Sequence, residues 1–122
     1  MNTDERTKTV SPRDAVATAV GQWPGVTTHP HRFGGVEFRV GHRELGHLHK
    51  SIADLPFPRR VRDELIASGR ARPHHVLPES GWVTVPMRSA SDVTNVIELF
   101  RHNYERGRTT DSSNALPRSV TY

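Results

Sequence analysis

Val36-Glu37-Phe38-Arg39-Val40-Gly41-His42-Arg43-Glu44-Leu45-Gly46-His47-Leu48-His49 reads as two strands joined by a turn. Val36, Phe38 and Val40 alternate with Glu37 and Arg39, the pattern of a strand buried on one side only. Gly41-His42-Arg43 turns the chain, and Glu44 to His49 forms the next strand. Strict alternation puts Leu45, His47 and His49 on one face and Glu44, Gly46 and Leu48 on the other. Upstream, Val26 to His31 reads as a further strand. Phe33-Gly34-Gly35 then supplies a tight hairpin turn, with Gly taking positive φ.

Helices flank this three-stranded unit. Ser11-Pro12-Arg13-Asp14 offers an N-cap serine, a proline at the first helical position and an acid at the third. Val16, Ala19, Val20 and Trp23 follow at helical spacing, and Pro24-Gly25 ends the run. Pro56-Phe57-Pro58 introduces a second helix with Phe57, Val61 and Leu65 as its inner stripe and Gly69 as its stop. The loop Arg70 to Ser80 leads to a short strand, Gly81-Trp82-Val83-Thr84-Val85. Ser89-Ala90-Ser91-Asp92 then opens a last helix with the stripe Val93, Val96, Ile97, Phe100, Tyr104. The order α-βββ-α-β-α predicts an α+β fold: an antiparallel sheet of about four strands with helices packed on one face.

The 122 residues divide into a flexible tail at 1–10, a single domain at 11–106 and a second flexible tail at 107–122. Thr109-Thr110-Asp111-Ser112-Ser113-Asn114 is the clearest low-complexity stretch. Only 34% of residues are hydrophobic, so the core is small. The absence of cysteine excludes disulfides, thiolate catalysis and Cys-ligated metal sites. No apolar run approaches the ~18–20 residues of a membrane span. The N-terminal residues lack the hydrophobic segment of a secretion signal, so no membrane partner and a cytoplasmic location are expected. The net charge of +4 with His neutral, carried mostly by Arg, suits an anionic partner but falls short of a nucleic-acid-binding tail.

Three groups of residues carry chemistry. On a strand, His47 and His49 point the same way roughly 6.5–7 Å apart, close enough to share one metal ion. A third ligand would come from His31, His74, His75, Glu44 or Asp54, and zinc or non-haem iron would accept such a set. The second group is basic: Arg59, Arg60 and Arg62 at the start of the second helix, with Arg70 and Arg72 beyond its end. Arginines in a first helical turn oppose the helix dipole unless something negative lies nearby. A phosphate or carboxylate ligand would serve, as would Asp54, Asp63 or Glu64. The third group is the loop Arg70 to Trp82, stiffened by Pro73 and Pro78, which delivers His74 and His75 beside Trp82.

At Arg72-Pro73-His74-His75-Val76-Leu77-Pro78-Glu79-Ser80-Gly81-Trp82-Val83-Thr84-Val85 the chain resembles a small bacterial family of luciferase-like domains. Trp23-Pro24-Gly25-Val26, His31-Arg32-Phe33-Gly34-Gly35, Glu44-Leu45-Gly46-His47-Leu48-His49 and Asp54-Leu55-Pro56-Phe57-Pro58-Arg59 extend the resemblance over about residues 13 to 106. More distantly, the His–loop–Trp strand and the helix ending in Tyr104 are similar to the MmcQ/YjbR family, small antiparallel-sheet domains proposed to bind DNA. That family often has an Asn-Lys pair after its His where this chain has Pro78-Glu79-Ser80, a departure that removes a phosphate contact. The resemblance implies a fold more than a function.

Three functional expectations follow. The first is a domain that binds a small anionic ligand between the third strand and the His74–His75 loop. Its site residues would be His31, His47, His49, Arg59, Arg72, His74, His75 and Trp82. The second is an enzyme acting on a small metabolite, with His as general acid/base or metal ligand. The third is nucleic-acid binding through the basic helix. The residues specify neither a cofactor nor an oligomeric state.

Overall fold

The computed structural model describes residues 10–113, with side chains through Arg106. Of the expected tails at 1–10 and 107–122, residues 1–9 and 114–122 lie outside the described residues. The chain order is α1 (Pro12–Gly21), β1 (Val26–His31), a 3-10 turn (Arg32–Gly34), β2 (Gly35–Val40), β3 (Arg43–His49) and β4 (Ile52–Pro56). Then come α2 (Arg59–Ala67), β5 (Arg72–Pro73), β6 (Trp82–Pro86) and α3 (Ala90–Ser113). The α3 backbone thus runs beyond the expected domain end at 106.

The helix signals act as read. Ser11 Oγ accepts from the Asp14 amide at 3.0 Å, capping α1. Ser89 Oγ accepts from the Asp92 amide at 3.1 Å while the Ser89 amide donates back to Asp92 Oδ2 at 3.2 Å, a closed capping box. α2 starts after Pro58 without a side-chain cap, so Phe57 precedes the helix; Phe57 is nonetheless buried with Leu65.

All six strands join one antiparallel sheet in the order β1-β2-β3-β4-β6-β5. The α+β class stands; the sheet has six strands where about four were expected. β4 and β5 are the additions. α1 and α3 pack on each other and α3 covers the sheet. Val16, Val20, Phe38, Leu48, Val83, Val85, Val96 and Phe100 form the core between them. Phe38 meets Phe100 edge-on at 5.6 Å, and the Tyr104 hydroxyl ties α3 to the turn after α1, donating to Pro24 O at 2.7 Å.

The strict alternation expected in β3 fails at Leu45. Phe38 pairs with Gly46 and Arg39 with Glu44, so Leu45 is the extra residue of a β-bulge. One inserted residue reverses the parity of what precedes it. Leu45 therefore turns into the core, fully buried, instead of sharing a face with His47 and His49. Glu44 turns out beside His47 instead of lying opposite to it. The open face of the sheet, opposite the helices, acquires a carboxylate in this way.

Candidate functional site

β3, β4 and β6 carry polar residues onto the open face, and the 74–81 loop folds over them. Asp54 lies at the centre. It stands opposite His47 on β3 and Thr84 on β6, with its side chain only 3% exposed. Thr84 Oγ1 donates to Asp54 Oδ1 at 2.7 Å. His47 Nε2 lies 3.3 Å and His75 Nε2 3.2 Å from Oδ2, and His74 Nε2 approaches Oδ1 at 3.7 Å. Burial alone would raise the carboxyl pKa, but hydrogen bonds from His47, Thr84 and His75 outweigh it and bring Asp54 down to about 2.

His47 is held at both ends. Its Nδ1 lies 2.8 Å from Glu44 Oε2 and its Nε2 faces Asp54. Carboxylates accept and do not donate, so both ring nitrogens carry protons. Burial would lower the pKa, but the hydrogen bonds to Asp54 and Glu44 prevail and raise it to about 9. The imidazolium is stacked on His31 at 3.9 Å and flanked by Trp82 at 5.4 Å.

The neighbouring imidazoles are oriented by single anchors. His31 Nδ1 faces Glu37 Oε1 at 3.2 Å, a carboxylate also bound by Arg39. Burial would raise the Glu37 pKa, but Arg39 and His31 lower it. His49 Nε2 donates to Arg32 O at 3.2 Å, and His75 Nε2 donates to Asp54. Each of these three rings leaves its other nitrogen without a hydrogen-bond partner among the described residues. His49 is held below the ordinary histidine value by burial and by the charge on His47.

His74 differs. Its Nδ1 accepts from the amides of both Val76 and Leu77 at 3.0 Å, so in the neutral ring the proton sits on Nε2. Burial lowers its pKa and keeps the ring neutral. Asp54, His74 and His75 form a group whose potential ligand atoms lie within 4.8 Å of one another. A metal there needs a bare Nε2 on His74, and the two backbone donors put the proton on that atom instead. The His47–His49 metal pair meets the same objection, since both His47 nitrogens are protonated.

One cavity of about 460 Å³ gathers His31, His47, His49, His74, His75 and Trp82. These are six of the eight site residues expected from sequence. Arg59 and Arg72 are not among its lining residues. Arg59 donates to Glu79 O at 2.7 Å, fastening the loop to α2, and Arg72 lies exposed on β5. Within the basic cluster Arg62 likewise binds Pro78 O and Asp63, and Arg70 binds Asn95 and Glu98. Much of that cluster is thus spent inside the molecule.

The cavity also contains residues the sequence left unassigned. Arg32 lines it, and Phe33, Val76 and Leu77 form an apolar rim, 79%, 66% and 52% exposed. Phe33 holds a left-handed φ of 57°, a conformation expected only at the glycines of that turn. From sequence Glu44 is expected only as a spare metal ligand, and Asp54 as that or as a partner for the arginines that open α2. The signal for Asp54 was its isolation: one acid within the apolar run Ile52-Ala53-Asp54-Leu55.

A family model described as Luciferase domain matches residues 42–103, half of the chain. It spans β3, β4, the loop and most of α3, including Glu44, His47, Asp54, His74 and His75. No curated protein and no solved structure matches the chain. Among the described residues no helix is long and apolar enough to cross a membrane.

Proposed function

The chain belongs to the Luciferase domain family, and we propose that its open-face cavity binds a small acidic molecule and accepts a proton from it. The observation that carries this reading is the division of labour among the imidazoles. His47 is fixed as a cation between Glu44 and Asp54, while His31, His49 and His75 are each anchored through one nitrogen with the other left open. In a neutral ring the open nitrogen bears the lone pair and serves as a general base. His49, whose pKa is lowered by burial and by the neighbouring His47 cation, is the foremost base.

The proton leaves a ligand hydroxyl or carboxyl and moves to the open nitrogen. The resulting anion is stabilised by the His47 imidazolium and by Arg32. The expected anionic ligand is thereby refined to one that becomes anionic on binding. Phe33, Val76, Leu77 and Trp82 suit an apolar body attached to that acidic group.

p-Nitrophenol tests the reading, because only its phenolate is yellow. Below the phenol's own pKa, added protein is expected to raise the phenolate absorbance saturably, and a His49→Gln/His75→Gln variant to remove the effect. Failure to bind, or binding as the neutral phenol, would contradict it.

A further inference from the structure

The β3–β4 ladder runs from His49 opposite Ile52 to His47 opposite Asp54 and goes no further. Beyond that rung the strand pairing stops, and a side chain from behind the sheet takes up a carbonyl from each strand. Asn103, fully buried on α3, donates its Nδ2 hydrogens to Leu45 O at 3.1 Å and to Pro56 O at 2.9 Å. One carboxamide stands where the missing rungs would be. Leu45 is the bulged residue that reverses the facing of Glu44. Gly46 lets the strands and α3 approach there: a Cβ on it would lie 2.8 Å from Asp54 O and 2.9 Å from the Phe100 ring.

The rest of Asn103 is tied as firmly. Its backbone carbonyl accepts from Arg43 at the start of β3 at 2.6 Å, and its Oδ1 accepts from Arg106. Asn103 does not line the cavity. Both of its side-chain donors nevertheless end on the two strands that present His47 and Asp54.

We propose that Asn103 is a positioning residue of the site, holding the bulge and bridging the unpaired ends of β3 and β4 so that Glu44, His47 and Asp54 come together. The proposal rests on the reading of His47 as the fixed cation of the cavity. A buried Asn with a merely structural role would lower stability without altering the site. A positioning Asn also changes the electrostatics at His47, because Glu44 and Asp54 lose their alignment on its two nitrogens.

The experiment is an NMR titration of the His47 ring in Asn103→Ala, with Leu99→Ala as a control that truncates a buried neighbour on the same helix. In Asn103→Ala, His47 is expected to titrate at least about one pH unit lower than in the parent, where it is raised to about 9. Leu99→Ala is expected to lose stability and leave His47 at the parent value. A folded Asn103→Ala protein in which His47 titrates as in the parent overturns the proposal. If that variant does not fold, Asn103→Ser, which keeps one donor, is read by the same two results. The titration needs no ligand. Absent p-nitrophenol binding by the parent would count against the proton-transfer reading alone, and an unmoved His47 against the role of Asn103 alone.

Discussion

His47 and Asp54 stand opposite each other on the last rung of the β3–β4 ladder, with Nε2 of one 3.3 Å from Oδ2 of the other. The pair joins the bulge side of the site, Glu44 and His47, to the loop side, His74 and His75. Its two members stabilise each other's charged forms in a position almost closed to water.

Replacing Asp54 by Asn removes the charge and keeps the shape. The His47 imidazolium is then left half-buried with Glu44 as its remaining carboxylate. Breaking one side of such a pair is expected to cost about 3 kcal/mol, read from urea unfolding at pH 7. His47 is expected to titrate lower in the same variant.

Stability follows pH with a sign set by each shift. His47, raised from 6.5 to about 9, contributes stability that is complete below 6.5 and lost as pH rises through about 9. Asp54, lowered from 3.8 to about 2, contributes stability present above 3.8 and lost as pH falls through about 2. His49 and His74, held below 6.5, favour folding above that value and oppose it as pH falls. Thermal midpoints are therefore expected to peak near pH 6.5. The alkaline fall between 6.5 and about 9 is expected to vanish in His47→Gln.

Phe33 combines a left-handed backbone with an exposed ring that meets His49 edge-on at 6.0 Å. Phe33→Gly relieves the backbone strain while loosening the unfolded chain. Stability is expected to stay within about 1 kcal/mol of the parent. Affinity for p-nitrophenol is expected to fall by roughly tenfold as the apolar rim is lost. A large loss of stability with unchanged binding would assign Phe33 to the fold instead.

With His74 protonated on Nε2 and His47 protonated on both nitrogens, the cluster around Asp54 is a poor metal site. Elemental analysis of the purified protein is expected to find zinc and iron well below one per chain. Added zinc is expected to leave the thermal midpoint unmoved; a stabilised protein would restore Asp54, His74 and His75 as ligands.

Periodicity and capping made much of the fold legible. Ser11 and Ser89 cap as read, β1 has the expected ends, and the stripe Val96, Phe100, Tyr104 is buried. β4 was not legible because an acid interrupts its apolar run and Pro56 closes it after five residues. β5 is only two residues long. Of the residues lining the cavity, His47, His49, His74, His75 and Trp82 stood out in the sequence by strand spacing and loop chemistry. The bulge was not, because nothing in the alternation of Glu44-Leu45-Gly46-His47 marks where parity reverses; Gly46 was the one hint. Arg59 was assigned to a ligand because a backbone carbonyl such as that of Glu79 is invisible as a partner in sequence.

The central claim is that His47 is a fixed cation set beside the neutral rings of His49 and His74, and nitrogen-resolved NMR of the histidines at pH 7.5 tests it most directly. His47 is expected to be protonated on both nitrogens, while His49 and His74 each carry their single proton on Nε2. A neutral His47 with one bare nitrogen, or a His74 protonated on Nδ1, would contradict it.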